Sequence, residues 1–162
     1  MSIERPSPAF AIRSADPTDA AAISALLLQS LPQVVDDPDA PSLDVFKASL
    51  QADATRERVA APAFEHWVAI DTAGLCGFVA MRDRSHLYHL FVREDAQRRG
   101  IAQALWATAR ASHPTTTITV NASMNALAFY ARLGFRSTTP EQVQHGLRFQ
   151  PMAWQPADHA QA

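Results

Sequence analysis

One stretch of the chain decides the fold, and it reads LYHLFV (residues 87–92), REDA (93–96) and QRRGIAQALW (97–106). The first segment is apolar and aromatic, which is typical of a buried strand, and the second is a short polar turn. From Ile101 onwards apolar residues recur at helical spacing, so the third segment predicts a turn that leads directly into a helix. The stretch therefore predicts a strand, a turn and a helix without a linker.

The start of this helix has the features of a phosphate-binding site. Gly100 and Ala102 leave the first turn almost without side chains, so backbone N–H groups can approach a ligand closely. Helix N-termini favour negative charge, and Arg93, Arg98 and Arg99 add positive charge nearby. These residues predict a pyrophosphate site. The alternative is an ordinary surface, where a glycine beside arginines at a helix start is also common.

Length and composition predict one soluble domain. The 162 residues suffice for one core, and a content of 48% hydrophobic and 19% charged residues is an ordinary globular balance. A net charge of -2 disfavours bulk binding of nucleic acid. No apolar run is long enough for a membrane span, no signal peptide is visible, and the single cysteine, Cys76, fits a reducing compartment. We expect a cytoplasmic protein without a nucleic-acid or membrane partner.

Outside the deciding stretch, hydrophobic patterning predicts six further strands and three further helices. The strands fall near residues 9–13, 66–70, 75–81, 115–120, 135–138 and 147–154. The first helix begins at Pro17, with Asp16 as its N-cap, and ends at Pro32, and the second is capped by Ser42. Residues 53–62 are expected to be its frayed end and a connector. The last helix ends at Gly134.

Two motifs in this order make the chain resemble the GNAT superfamily of acyl-CoA-dependent N-acetyltransferases. The first is the family's Q/R-x-x-G-x-G/A, present from Gln97 to Ala102. The second is carried by Asn125, Ala128, Phe129, Tyr130, Gly134 and Phe135. The resemblance covers residues 9–154, with two departures from the common pattern. Ala102 replaces a frequent glycine, and the strand before the first motif lacks the Glu or Asp that many members have.

The resemblance implies a mixed α/β (α+β) fold with a central, mostly antiparallel, twisted sheet of about seven strands and four helices. The sheet would splay at a cofactor cleft, and residues 1–154 would form the single domain, followed by a disordered tail at 155–162. Acetyl-CoA would be the co-substrate, with no metal. The implied cofactor-binding residues are Leu90, Phe91, Val92, Gln97, Arg98, Arg99, Gly100, Ile101, Ala102, Asn121 and Asn125. For Asn121, as for Ser123, helix capping explains the residue equally well.

The resemblance also implies N-acetyl transfer to a primary amine by direct attack in a ternary complex, with Tyr130 as the general acid. A phenol of pKa ~10 stays protonated at neutral pH and can donate to a thiolate. The alternative role for Tyr130 is a core aromatic. As the base we prefer His86 over His89, because strand alternation places them on opposite faces and only one face can line the cleft. Water is a third candidate for the base.

The acceptor pocket should be formed by the first two helices and the loop at 33–41. Three acids of that loop, Asp36, Asp37 and Asp39, either attract a cationic amine or are simply solvated. Two other functions stay open: a non-catalytic regulatory module that binds acyl-CoA, and an acyltransferase for a different acyl-CoA. The acceptor's identity is open as well, and so is a homodimer.

Overall fold

The computed structural model describes residues 9–156, which form one eight-stranded sheet and five helices. The strands are β1 (Ala11–Ser14), β2 (Phe64–Asp71), β3 (Gly74–Arg82), β4 (His86–Val92), β5 (Ile118–Ser123), β6 (Arg136–Ser137), β7 (Gln142–Gln144) and β8 (Leu147–Trp154). The helices are α1 (Ala20–Val34), α2 (Asp44–Ser49), α3 (Ala52–Ala60), α4 (Ile101–Ala111) and α5 (Leu127–Leu133).

The sheet splays at its centre. Its strand order is β1-β2-β3-β4-β5-β8-β6, with β7 also paired to β8, and every pair is antiparallel except β4 and β5. The parallel pair joins only His86 to Thr119 and Leu87 to Val120. Beyond Leu87, β4 and β5 no longer pair, so the edge of β4 is open there. The predicted mixed fold, with a mostly antiparallel sheet and a central splay, is confirmed.

Two hydrophobic cores cover the two faces of the sheet. Successive residues of β3 alternate between them, because strand side chains point to opposite faces. Phe78 belongs to the core under α1, whereas Val79 packs in the core under α4. The first core also holds Leu50 from the end of α2, and the second holds Tyr130 of α5. The helices thus form one layer of α1, α2 and α3 and another of α4 and α5.

The first helical region differs from the prediction in two ways. Helix α1 does not end at Pro32 but continues to Val34, and Val35 N–H still bonds the Leu31 carbonyl at 3.1 Å. Proline removes one donor, but in a last turn held by the buried Leu31 this loss is tolerated. The segment predicted as a frayed connector forms a separate helix, α3, because Thr55 is buried against the layer of α1.

Three strand predictions also need correction. Strand β5 starts and ends three residues later than predicted, because residues 118–123 pair with β8. A further strand, β7, folds back on β8 through a turn at Gly146, so there are eight strands rather than seven. In β4 the alternation is broken, since His89 pairs with Ala80 but Leu87 pairs with Met81. The extra residue, Tyr88, forms a β-bulge that turns His89 to the opposite face from Leu87.

The ends of the chain are described only in part. The predicted tail begins inside the described residues, where Gln155 Oε1 accepts a hydrogen bond from the Thr117 hydroxyl at 2.7 Å. Residues 157–162 of that tail lie outside the described residues, as does the stretch 1–8. Within residues 9–156, no helix is both long and apolar enough to cross a membrane.

Candidate active site

A cavity of about 850 Å³ opens where β4 and β5 part. All seven residues of β4, from His86 to Val92, line it. The opposite walls come from the start of α4, from β5 and α5, from the end of α1 and from the hairpin of β7 and β8. These elements belong to both helical layers, so the cavity passes through the splay in the sheet.

The turn before α4 is shaped for an anion. Gly100 precedes the helix with φ of 80° and ψ of 9°, and Arg98 has φ of 64°. A Cβ atom built on Gly100 would meet nothing within 4 Å, so the space beside this backbone is free. Helix α4 has no side-chain cap, which leaves its first N–H groups available. Gln97 holds the turn to β4 by donating from Nε2 to the Val92 carbonyl at 3.2 Å.

The three arginines near this turn have different environments. Arg98 lines the cavity, whereas Arg93 and Arg99 both bind Oδ2 of Asp71, at 2.9 and 3.1 Å. Burial raises the pKa of Asp71, but hydrogen bonds from Arg99, the Ala73 N–H and Arg93 hold it below its ordinary value. The Asp71 carboxylate is 6% exposed and therefore fixes two of the arginines outside the cavity. Of these three arginines, Arg98 is the one whose side chain lines the cavity.

Ten of the eleven expected cofactor-binding residues line the cavity, and Arg99 is the exception. Asn121 lies within β5 rather than at its end, and its side chain is exposed beside the cavity. Asn125 donates from Nδ2 to the Gln33 carbonyl at 2.7 Å and so ties the start of α5 to the end of α1. Ser123 precedes a short 3-10 turn but makes no side-chain capping bond, so capping does not explain it.

Tyr130 combines both of its expected environments. It lies on α5, is 6% exposed, and borders the cavity. Its ring packs edge-to-face against Phe129 and Phe135, with centroids at 5.3 and 5.4 Å. Burial raises the pKa of Tyr130, which keeps the hydroxyl protonated at neutral pH. Core packing therefore fixes the ring while the side chain still reaches the cavity.

Both candidate histidines border the cavity, which corrects the expectation that only one could. The bulge at Tyr88 is the reason, because it breaks the alternation of β4. His86 places Nδ1 2.8 Å from the Thr119 hydroxyl, and burial and Arg82 lower its pKa to about 4. His89 is 9% exposed, and burial, Arg58 and His66 hold its pKa well below 6.5. Both imidazoles are therefore neutral at pH 7.

The expected acceptor side is assembled in part. Gln33 of α1 and Phe46 of α2 line the cavity, but none of the three loop acids does. Asp36 and Asp37 line a separate pocket of about 210 Å³. Among residues 9–156, the charged side chains that line the main cavity are all arginines: Arg82, Arg98, Arg132 and Arg148. Sequence patterning placed Tyr88 on the same strand face as His86 but gave it no role, and it did not single out Arg82, which the pairing of β3 with β4 brings to the cavity.

In the described part of the chain, no group of three or more His, Cys, Asp or Glu side chains is arranged to hold a metal ion.

Comparisons with known proteins agree with this geometry. The family described as "Acetyltransferase (GNAT) domain" matches residues 32–156. The uncharacterized N-acetyltransferase YafP of Escherichia coli (strain K12) is 29% identical over 133 residues, which cover 82% of this chain and 85% of that protein.

Solved structures show the same fold. A GCN5-related N-acetyltransferase from Rhodopseudomonas palustris superposes with a TM-score of 0.75 at 22% identity, covering 90% of this chain and 94% of that one. The PaiA N-acetyltransferase from Thermoplasma acidophilum, solved with coenzyme A, gives 0.73 at 12% identity and covers 90% and 98%. The family match, the splayed sheet and the two motifs together show that this chain belongs to the GNAT family of N-acetyltransferases.

Proposed function

We propose that the protein moves an acetyl group from acetyl-CoA to a primary amine by direct attack in a ternary complex. The observation that carries this proposal is the parting of β4 and β5 beyond Leu87, which forms one cavity bordered by both the Gly100 turn and Tyr130. A site with anion-binding N–H groups and a protonated hydroxyl suits a thioester whose carrier ends in phosphates.

The residues present fit acetyl-CoA. Free space beside Gly100 and the uncapped start of α4 would receive the pyrophosphate, with Arg98 as the added cation. The unpaired edge of β4 at Leu90–Val92 would hydrogen-bond the pantetheine arm, since β5 no longer occupies it. Acetyl-CoA supplies an activated acyl group and a thiolate leaving group.

The transfer needs one bond to form and one to break. The neutral amine nitrogen forms a bond to the thioester carbonyl carbon, the carbon–sulfur bond breaks, and the sulfur leaves with its electron pair. Tyr130 donates its hydroxyl proton to that sulfur, and the phenolate regains a proton from solvent after the thiol has left. Its raised pKa keeps the hydroxyl protonated, and so available as a donor, before the reaction begins.

The amine must lose a proton, and His86 is our preferred acceptor, directly or through a water that it binds. Its pKa of about 4 means that the ring is free to accept a hydrogen bond at pH 7, although it is a weak base. An amine of pKa ~10 is mostly protonated at pH 7, and only its small neutral fraction can attack the thioester. His89 and solvent remain the alternatives.

The test is thiol release from acetyl-CoA in the presence of a panel of primary amines. Release that depends on an amine, together with an acetylated product of the expected mass, supports the proposal. Binding of acetyl-CoA without release would favour a non-catalytic acyl-CoA-binding module. Competition among acyl-CoAs of different chain length would reveal an acyltransferase for another acyl group.

We propose further that residues 1–154 act as one domain in the cytoplasm. The single domain is supported by the contribution of elements from α1 to β8 to the walls of one cavity. The cytoplasmic location rests on the single cysteine and on the composition of the sequence.

A further inference from the structure

Two guanidinium groups flank one tyrosine on the α1 side of the cavity. The Cζ atoms of Arg58 and Arg82 lie 5.7 and 5.6 Å from the ring centroid of Tyr88. Tyr88 and Arg82 line the cavity, while Arg58 approaches the ring from α3. Tyr88 is the bulge residue of β4, and both guanidinium groups are within cation–π distance of its ring.

This cluster contains polar atoms that lack a partner. In the part of the chain that the structure describes, three buried side-chain nitrogens have no hydrogen-bond partner: Arg58 Nε, His66 Nδ1 and His89 Nδ1. The two histidines lie in one group of packed aromatic rings. The ring centroids of Tyr88 and His89 are 4.3 Å apart, and Phe78 packs against both His66 and His89. Unpartnered buried polar atoms are rare in native proteins, and of these three residues His89 lines the cavity while Arg58 and His66 lie behind it.

Carboxylates balance the charge of the cluster only in part. Within residues 9–156, Arg58 makes no ion pair, and burial lowers its pKa. Arg82 is 44% exposed and has only a 3.8 Å contact to the neighbouring Asp83. No Asp or Glu among the described residues lines the main cavity. A polycationic acceptor would meet repulsion here, whereas an anion would be attracted.

The pyrophosphate turn does not account for these cations. Arg98 stands beside Gly100 at the start of α4, but Tyr88 packs with the core under α1, on the other face of the sheet. Phe46 and Phe91 belong to the same core and also line the cavity. The cluster therefore offers cations beside an aromatic wall, on the side of the cavity away from the helix that would hold the phosphates.

We propose that the acceptor is an amine that also carries an anionic group, which Arg82 binds, while the acceptor's apolar body packs against Tyr88 and Phe91. This inference rests on the proposed function in one respect: the molecule bound at Arg82 is taken to be the one that is acetylated. Arg58, behind Tyr88, strengthens the positive potential without touching the ligand.

Two probes test this: 4-(aminomethyl)benzoate and 4-(aminomethyl)benzamide, which share the amine and the ring and differ in charge. Their dissociation constants are measured by calorimetry with protein saturated with coenzyme A, which has no acetyl group to transfer. We expect the benzoate to bind at least about tenfold more tightly than the benzamide. Arg82→Gln should reduce this preference to within about twofold, and Arg82→Lys should retain part of it.

Arg56→Gln is the matched control. Arg56 lies on the same helix as Arg58, is exposed, pairs with Asp53 and does not line the cavity, so the same loss of charge should leave the preference intact. A benzoate that binds no more tightly than the benzamide, or not at all, overturns the inference. So does a preference that survives Arg82→Gln. Thiol release with neutral amines is read separately, so preferential binding without release would refute the proposed function alone.

Discussion

Gly100 offers the sharpest test of the phosphate site, because folding and binding make different demands on it. Its φ of 80° lies in the left-handed region, and a Cβ atom there would meet nothing within 4 Å. Gly74, the first residue of β3, has φ of 111° and equally empty surroundings, but it does not line the cavity. Gly74→Ala is therefore a matched control for Gly100→Ala.

The two alanine substitutions should cost similar stability. A non-glycine residue in the left-handed region costs about 1 kcal/mol, with no added clash at either site. For a chain of this size that lowers Tm by roughly 2–4 °C. The added methyl group of Gly100→Ala, however, projects into the space where the pyrophosphate would approach.

The stabilisation of the protein by bound acetyl-CoA can also be calculated. Acetyl-CoA at 100 times its Kd should stabilise the native protein by about 2.7 kcal/mol, or roughly 5–10 °C in Tm. A tenfold weaker Kd in Gly100→Ala reduces this to about 1.4 kcal/mol, so about half of the rise is lost. Gly100→Glu, which adds a negative charge as well, should abolish the rise.

Thermal melts without acetyl-CoA measure the loss of stability in each variant, and melts with acetyl-CoA measure the rise in Tm caused by the ligand. The Gly74→Ala protein should start lower in Tm but keep the whole ligand-induced rise. If Gly100→Ala keeps the whole rise too, the phosphates bind elsewhere and the reasoning from the α4 turn is refuted.

Three further predictions concern the catalytic and buried groups. Tyr130→Phe should lower kcat on the order of 10²–10⁴-fold with the acetyl-CoA-induced Tm rise intact; wild-type turnover would leave Tyr130 with a packing role only. His86→Ala should slow the reaction mainly below the pKa of the amine, whereas His89→Ala, which empties a buried position, should mainly lower Tm; unchanged pH–rate profiles in both would assign the proton to solvent. Burial lowers the pKa of His66 to about 4, whereas in the unfolded chain it is about 6.5. The unfolded chain therefore binds more protons in this range, so the free energy of unfolding decreases as pH falls from 6.5 to 4. The loss between pH 7 and 5 is about 2 kcal/mol, and His66→Gln should flatten the dependence of Tm on pH; an unchanged slope would contradict the assignment.

Much of the fold was predictable because local patterns and tertiary structure agree. The hairpin of β2 and β3, the glycine that ends α5 and the turn before α4 all follow from short-range chemistry. Pro32 misled the prediction because its effect depends on where the helix ends, and the burial of Leu31 keeps that last turn helical. Helix α3 was missed because its stability comes from packing on α1, which periodicity in a charged, Ala-rich segment does not reveal.

The parts of the candidate site that the backbone forms were predictable. The parts that depend on which partner a side chain binds were much less so. Placement of the Gly100 turn and Tyr130 at one cavity followed from the two motifs. The capture of Arg99 by Asp71 could not be foreseen, because the two residues are 28 positions apart and pair only across folded strands. The bulge at Tyr88 was equally hidden, since one extra residue in a strand leaves no mark on its hydrophobic pattern.

The two-residue pairing between β4 and β5 has a consequence for the motion of the sheet. Within residues 9–156, strands β1 to β4 and strands β5 to β8 are joined along the ladder only at His86–Thr119 and Leu87–Val120. The core under α4 still packs residues of both groups together, so the amide hydrogens that face the gap should exchange with solvent faster than those of the paired strands. A molecule bound across the gap would supply hydrogen-bond partners to both edges. Amides of residues 90–92 and 121–123 should then gain protection together.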